Sequence, residues 1–159
     1  MYQKKLSVWL KWMIAGVGVC GAVVYFAVLP ILADNLLCTY PEFAARRWPW
    51  LIFLWTTGIP CYAVLGQAWG VAARIGRDES FCAQNAVALK RISYLAAGDT
   101  AYFFLGQIVL FLLNMSHPGV VLGGLLVVFA GVAVPVAAAA LSHLIYKAAA
   151  MREENDLTI

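Results

Sequence analysis

The chain has 159 residues, 64% of them hydrophobic and 12% charged, with a formal net charge of +3. Soluble domains run nearer ~45–50% apolar and ~25% charged, so this excess has no water-soluble core to hide in, and the chain reads as an integral membrane protein. Its length suits one compact domain without a separate soluble module, and its cations are split among connections rather than gathered on one face, which argues against direct nucleic-acid binding.

Residues 1–11 carry Lys4, Lys5 and Lys11 with Trp9, and an apolar run follows over 12–33. A basic start before an apolar run is also the plan of a secretory leader. This run exceeds the ~7–15 residues of a leader's apolar core, so it is read as a retained span. Gly16, Gly18 and Gly21 allow a neighbouring helix to come close, and Pro30 falls near the end. A polar loop is expected over 34–47. The second span covers 48–73, with Pro60 near its middle. Proline lacks an N–H and clashes with the carbonyl four residues back, here Thr56, so a kink is expected. Gly66 and Gly70 form a GxxxG pattern suited to tight packing.

An amphipathic segment, 80–93, leads into the third span at 94–113. Ser80 is its expected N-cap. Phe81, Ala88, Ile92 and Leu95 recur at helical spacing, with Asn85 on the same face and Lys90 and Arg91 beside it. The segment reads either as an interfacial lead-in to the helix or as a docking surface for a cytoplasmic partner. The loop 114–119 is short, which makes the third and fourth spans antiparallel neighbours. The fourth run, 120–146, is long for a span of ~20 residues and contains Pro135, so tilt, a kink or extension beyond the membrane is expected. Residues 147–159 form a polar tail.

The expected fold is therefore an all-α membrane protein, a four-helix bundle with a short amphipathic cytoplasmic segment before the third helix. Four passes put both termini and the second connection on one side. That side holds nine of the eleven basic residues, leaving only Arg46 and Arg47 opposite. The positive-inside rule places it in the cytoplasm, and Trp9, Trp12 and Trp69 against Trp48 and Trp50 mark the two interfaces.

Cys20, Cys38, Cys61 and Cys82 form no CxxC pair and lie at different depths. They read as small apolar fillers rather than disulfide or zinc ligands. No catalytic motif, metal site or cofactor-binding pattern is found, so no cofactor is expected and the chain is read as a non-enzyme. His117, in the far loop, reads as solvated.

Asp99 is the one acidic residue inside an apolar run. A carboxylate at membrane depth costs roughly 2.5–3.5 kcal/mol and is usually paired or functional. Tyr102, Gly106 and Gln107 continue its face, Gln67 on the second span is within reach, and His143 is expected at similar depth on the neighbouring fourth span. The candidate intramembrane site is thus Asp99, His143, Gln107, Tyr102 and Gln67. It reads as a polar cavity for transport or as a hydrogen-bonded lock. The tail residues Asn155, Asp156, Leu157, Thr158 and Ile159 alternate apolar and polar before a free carboxylate. They form a second candidate partner surface with Phe81, Asn85, Lys90 and Arg91, or a solvated helix end.

Two motifs carry a family resemblance: the tail Glu153-Glu154-Asn155-Asp156-Leu157-Thr158-Ile159 behind Lys147-Ala148, and Ser80-Phe81 followed by Asn85 and Leu89 to Ser93. Together they resemble the bacterial four-span membrane proteins of the domain-of-unknown-function 2975 family. The resemblance implies a bacterial inner-membrane location and no known enzymatic activity. Some relatives are encoded beside small helix-turn-helix regulators, which implies a membrane partner for such a protein. The expected reading is a regulator or sensor engaging a cytoplasmic protein. The alternative is a small transporter or channel-like module built around Asp99, as a homo-oligomer.

Overall fold

The structure, a computed structural model, describes residues 2–156. Every regular element among them is helical. The first rod begins as α1 (Tyr2–Val23), passes through a π-helical turn (Val24–Val28) and continues as α2 (Leu29–Thr39). A 3-10 helix (Pro41–Arg46) leads into α3 (Arg47–Ile75), followed by α4 (Ala83–Leu112) and α5 (Pro118–Asp156). Counting α1 through α2 as one, four rods are long and apolar enough to cross a membrane. At ~1.5 Å per residue, the 39 residues of α5 reach about 58 Å, against ~30 Å of hydrocarbon.

The polar loop expected over 34–47 is mostly helix. Asp34 lies within α2, and its carboxylate accepts from Arg47 Nε at 2.7 Å across the connection to α3. The other two connections end their helices in the same way. Asp78 and Asn114 adopt left-handed backbone, with φ of 63° and 53°. In each case the next N–H reaches back five residues, Glu79 to the Arg74 carbonyl at 3.1 Å and Met115 to the Leu110 carbonyl at 2.8 Å. This is the Schellman stop, with Asp and Asn in the place usually held by glycine. Ser80 is not the N-cap of α4; Cys82 holds that position without a side-chain cap. The Ser80 hydroxyl instead lies 2.9 Å from Gln3 Oε1 on α1.

The four rods lie side by side as an open row. α1 lies against α3, α3 against α4 and α4 against α5, and no close backbone approach joins α1 to α4 or α5, or α3 to α5. The exposed area, 10573 Å², exceeds the ~7,800 Å² of a compact chain of this mass by about a third. Lipid tails are as apolar as a leucine core, so nothing forces such a row to close. Side chains still bridge three rods where Val64 and Ala68 of α3 meet Leu89 and Ile92 of α4 and Ala138 and Ile145 of α5.

The α4–α5 contact is a seam of small residues at seven-residue spacing. Ala86, Ser93, Thr100 and Gln107 follow one another along α4. Opposite them, Ser142 Oγ donates to the Ala86 carbonyl at 2.7 Å and Ser93 Oγ to the Pro135 carbonyl at 2.9 Å. A Cβ on Gly131 would stand 2.7 Å from Thr100 Oγ1, and one on Gly124 3.1 Å from the Gln107 side chain. A seven-residue repeat keeps two helices facing one another along their length. The GxxxG glycines have no such role: nothing lies within 4 Å of a Cβ on Gly66, and only its own helix's Arg74 is near Gly70. The tight approach of α3 to α4 falls at Gly106, where any Cβ would collide with the Phe53 ring.

The start of α1 and the later part of α5 share one end of the row with the α3–α4 turn. Ser7 Oγ donates to the Ala72 carbonyl at 2.7 Å, and Lys11 Nζ lies 5.6 Å from the Trp69 ring centre. At the opposite end, Arg46 Nη1 donates to the Asn114 carbonyl, and Tyr40 stacks on His117 with ring centres 4.8 Å apart.

Candidate functional site

Asp99 lies on the α4 face turned toward α3. Cys61 Sγ donates to its Oδ2 at 3.4 Å. Behind Cys61, the Tyr25 hydroxyl stands 3.0 Å from Thr57 Oγ1 and 3.9 Å from Cys61 Sγ. Tyr25 is aimed there by the π-helical turn. That turn presents the Tyr25 carbonyl sideways, where Trp55 Nε1 donates to it at 2.9 Å. The Tyr25 ring lies over Gly58, where a Cβ would be only 3.5 Å away. Proline at 60 leaves the Thr56 carbonyl without its helical donor, yet α3 runs through unbroken. The Thr56 and Thr57 hydroxyls turn back on the Phe53 and Leu54 carbonyls at 2.6 and 2.7 Å. Thr56 also meets the Tyr102 hydroxyl at 2.8 Å.

In front of Asp99 is a groove of about 470 Å³ between α3 and α4, lined by Thr56, Ile59, Pro60, Tyr94, Gly98 and Tyr102 among others. It opens sideways from the row. Asp99 Oδ1 is buried and has no hydrogen-bond partner among the described residues.

The expected cluster is thus only partly assembled. Tyr102 joins Asp99 in the groove. Gln107, eight positions on, is rotated by ~80° and belongs to the other face. It is 6% exposed, packs at Gly124 of α5, and its Oε1 lacks a partner among the described residues. Gln67 is half-buried and does not line the groove, because six positions past Cys61 turn it ~120° away. His143 is not at the depth of Asp99. The seam sets it level with Ala86, and Asp99 lies roughly 20 Å farther along α4. His143 lines a separate groove with Lys90, Ser93 and Tyr146. No group of three His, Cys, Asp or Glu side chains among the described residues could hold a metal ion.

The sequence reading missed Tyr25 and Cys61. Cys61 is more than an apolar filler: among the described residues it is the one donor on the carboxylate. The available clue was its place one residue after Pro60, on the span packed against α4.

The candidate partner surface also divides. Asn85 is 0% exposed and works inside the fold. Its Oδ1 accepts from Arg74 Nη1, and its Nδ2 donates to the Glu79 and Ser80 carbonyls, each at 3.0 Å. It ties the α3–α4 turn together and is withdrawn from any docking face. Phe81, Lys90 and Arg91 are exposed, Phe81 by 57%. Lys90 Nζ lies 5.9 Å from the Tyr94 ring centre. On the tail, α5 remains helical through Asn155 to Asp156, so no extended strand begins there. Leu157, Thr158 and Ile159 lie outside the described residues. His117 is half-buried rather than solvated, stacked on Tyr40, with its Nδ1 accepting from the Gly119 N–H at 3.1 Å.

An all-helical chain with four membrane-length rods and a carboxylate on an inner face is a multi-pass α-helical membrane protein. It belongs to the family described as "Protein of unknown function (DUF2975)", whose model matches residues 31–159. It is also similar to the uncharacterized membrane protein YoaS of Bacillus subtilis (strain 168), 28% identical over 155 residues, covering 96% of this chain and 97% of that protein. No solved structure matches it.

Proposed function

We propose that the protein is a non-enzymatic regulator or sensor of the bacterial cytoplasmic membrane. Both termini and the α3–α4 turn face the cytoplasm and engage a protein there, such as a helix-turn-helix regulator. The observation that supports this is the length of α5, 39 residues against the ~20 that a span needs. Its last turns carry Lys147, Arg152, Glu153 and Glu154 at the end of the row where Phe81, Lys90 and Arg91 are exposed. Charged residues on such an extension with an exposed aromatic beside them suit a partner better than they suit lipid. A reporter fused after Ile159 that is active only outside the cell would end this reading. So would a partner crosslinked in the native host whose capture survives both Phe81→Ala with Arg91→Glu and removal of residues 153–159.

A second reading, a transporter or channel-like module, draws on the unpartnered Asp99 Oδ1 and the groove in front of it. Since the groove opens sideways, a pathway would need a second copy set against α3 and α4. Under either the lock or the transport reading, Asp99→Asn changes folding yield or phenotype in the native host. Unchanged expression, stability and phenotype would dismiss both.

A further inference from the structure

Two grooves run end to end along the α4–α5 pair. The first, of about 450 Å³, is lined by Lys90 and Tyr94 of α4 and by His143 and Tyr146 of α5, among others. The second, of about 460 Å³, is lined by Ala97, Ala101 and Phe104 of α4 and by Val128, Val132 and Val136 of α5, among others. Ser93 and Ala139 line both, so the two make one continuous furrow. The small residues of the seam bring the backbones together, and the longer side chains beside it form the furrow's walls.

The two halves differ in chemistry. The first offers an ammonium, an imidazole and two phenol hydroxyls, from Lys90, His143, Tyr94 and Tyr146, all of them exposed. Among the described residues none of these tips is held in a hydrogen bond or an ion pair, and Lys90 Nζ only lies 5.9 Å from the Tyr94 ring centre. No acid competes for them. Asp99, the one acid of α4, is turned toward α3, and the acids of α5 begin at Glu153. Ser93 and Ser142 give their hydroxyls to carbonyls across the seam, so they hold the helices and not an occupant. The second half is lined by no charged side chain, and its Thr100 hydroxyl is turned back on the Ala96 carbonyl at 2.8 Å.

Length points to the occupant. Lys90 stands one turn before Tyr94, where the apolar stretch of α4 begins, the level at which Lys and Tyr meet a membrane–water interface. From Ser93 to Phe104 the second half follows α4 for ~16 Å at ~1.5 Å per residue, about half of the ~30 Å of hydrocarbon. A helix from a second copy would cross both leaflets, whereas a furrow that stops at mid-membrane fits an acyl chain of one leaflet. We propose that it holds an anionic phospholipid of the leaflet on the side of the α3–α4 turn. The phosphodiester lies between Lys90, His143 and the two tyrosine hydroxyls, and one acyl chain runs along Ala97, Ala101 and Val132. Basic pockets between membrane helices take such headgroups elsewhere. The proposal needs neither a protein partner nor a cytoplasmic α3–α4 turn, so it and the regulator reading can fail separately.

The test takes the full-length protein from nanodiscs of equimolar phosphatidylcholine and phosphatidylglycerol and weighs it by native mass spectrometry. Phosphatidylglycerol is expected to stay bound in preference to phosphatidylcholine by about fivefold or more, the effect of one cation at an anionic headgroup. Lys90→Gln combined with His143→Gln should remove that preference, while Lys4→Gln, on α1 at the same end of the row, keeps it. Ala101→Trp, which fills the second half, should lower retention of both lipids. In the wild-type protein, phosphatidylglycerol carrying a diazirine midway along one chain should label residues 97–104 or 128–136, a readout that needs no variant to fold. Equal retention of the two lipids, a preference that survives the double variant or is lost in Lys4→Gln, undiminished retention in Ala101→Trp, or labelling elsewhere would overturn the proposal. So would release of the lipid by inorganic phosphate, which would mark a site for the free anion, or a crosslink at Ala101 to a second copy of the chain.

Discussion

The α4–α5 and α1–α3 contacts join neighbouring rods by opposite means. Along α4 and α5 the backbones meet over glycine, alanine and short hydroxyls, and the fit is steric. Between α1 and α3 longer arms do the joining. Tyr62 reaches across to the Gly18 carbonyl at 2.8 Å, Trp55 to the Tyr25 carbonyl, and Tyr25 back to Thr57. None of the most apolar 18-residue stretch of the first rod is buried, so these arms carry much of its attachment. A steric seam is broken by added bulk, whereas a contact made by arms is broken by removing a hydroxyl. The first rod therefore depends on a few polar contacts where the α4–α5 hairpin depends on backbone fit.

The largest effect is expected from Gly131→Leu, which drives a side chain into Thr100. Overpacking of this kind costs about 3 kcal/mol at its upper range, read as a lowered unfolding midpoint in mixed micelles. If the midpoint holds, the seam is not steric. Next, Asn85→Ala leaves the Glu79 and Ser80 carbonyls and Arg74 without their partner, a loss of about 2 kcal/mol by the same measurement. A smaller effect is expected from Tyr62→Phe combined with Ser7→Ala, about 0.6 kcal/mol for each lost bond. Here the sharper readout is faster hydrogen exchange confined to residues 2–39; equal acceleration in α5 would erase the contrast between the two contacts. Gly66→Ala should fall within ~0.5 kcal/mol of wild type, because the space beside it is open.

The rods themselves could be read from hydropathy, since twenty apolar residues in a row have few alternatives. The antiparallel α4–α5 pairing followed from the shortness of residues 114–119. The way the rods associate was harder to read. The GxxxG pattern points to Gly66 and Gly70, whereas the seam runs through Ser93, Thr100 and Gln107, with Gly124 and Gly131 opposite. Its period is seven rather than four, and it shows only in the pair of helices, not in either alone. Tyr25 was hidden for a different reason: its direction depends on a π-helical turn, which apolar periodicity does not reveal. The depth of His143 is not legible from span ends, because α5 overruns its span and the seam register sets its level.

The π-helical turn at Val24–Val28 also sets the phase of the first rod. A residue inserted into a helix rotates all that follows by ~100°. Below the turn the rod offers Ser7 and Gly18 to α3; above it, Ala33 is buried and Asp34 meets Arg47. A uniform α-helix of the same length would keep one of these registers and lose the other. The bulge thus works as a splice between two incompatible screws, and excising one residue from it would unseat whichever half is the more weakly held.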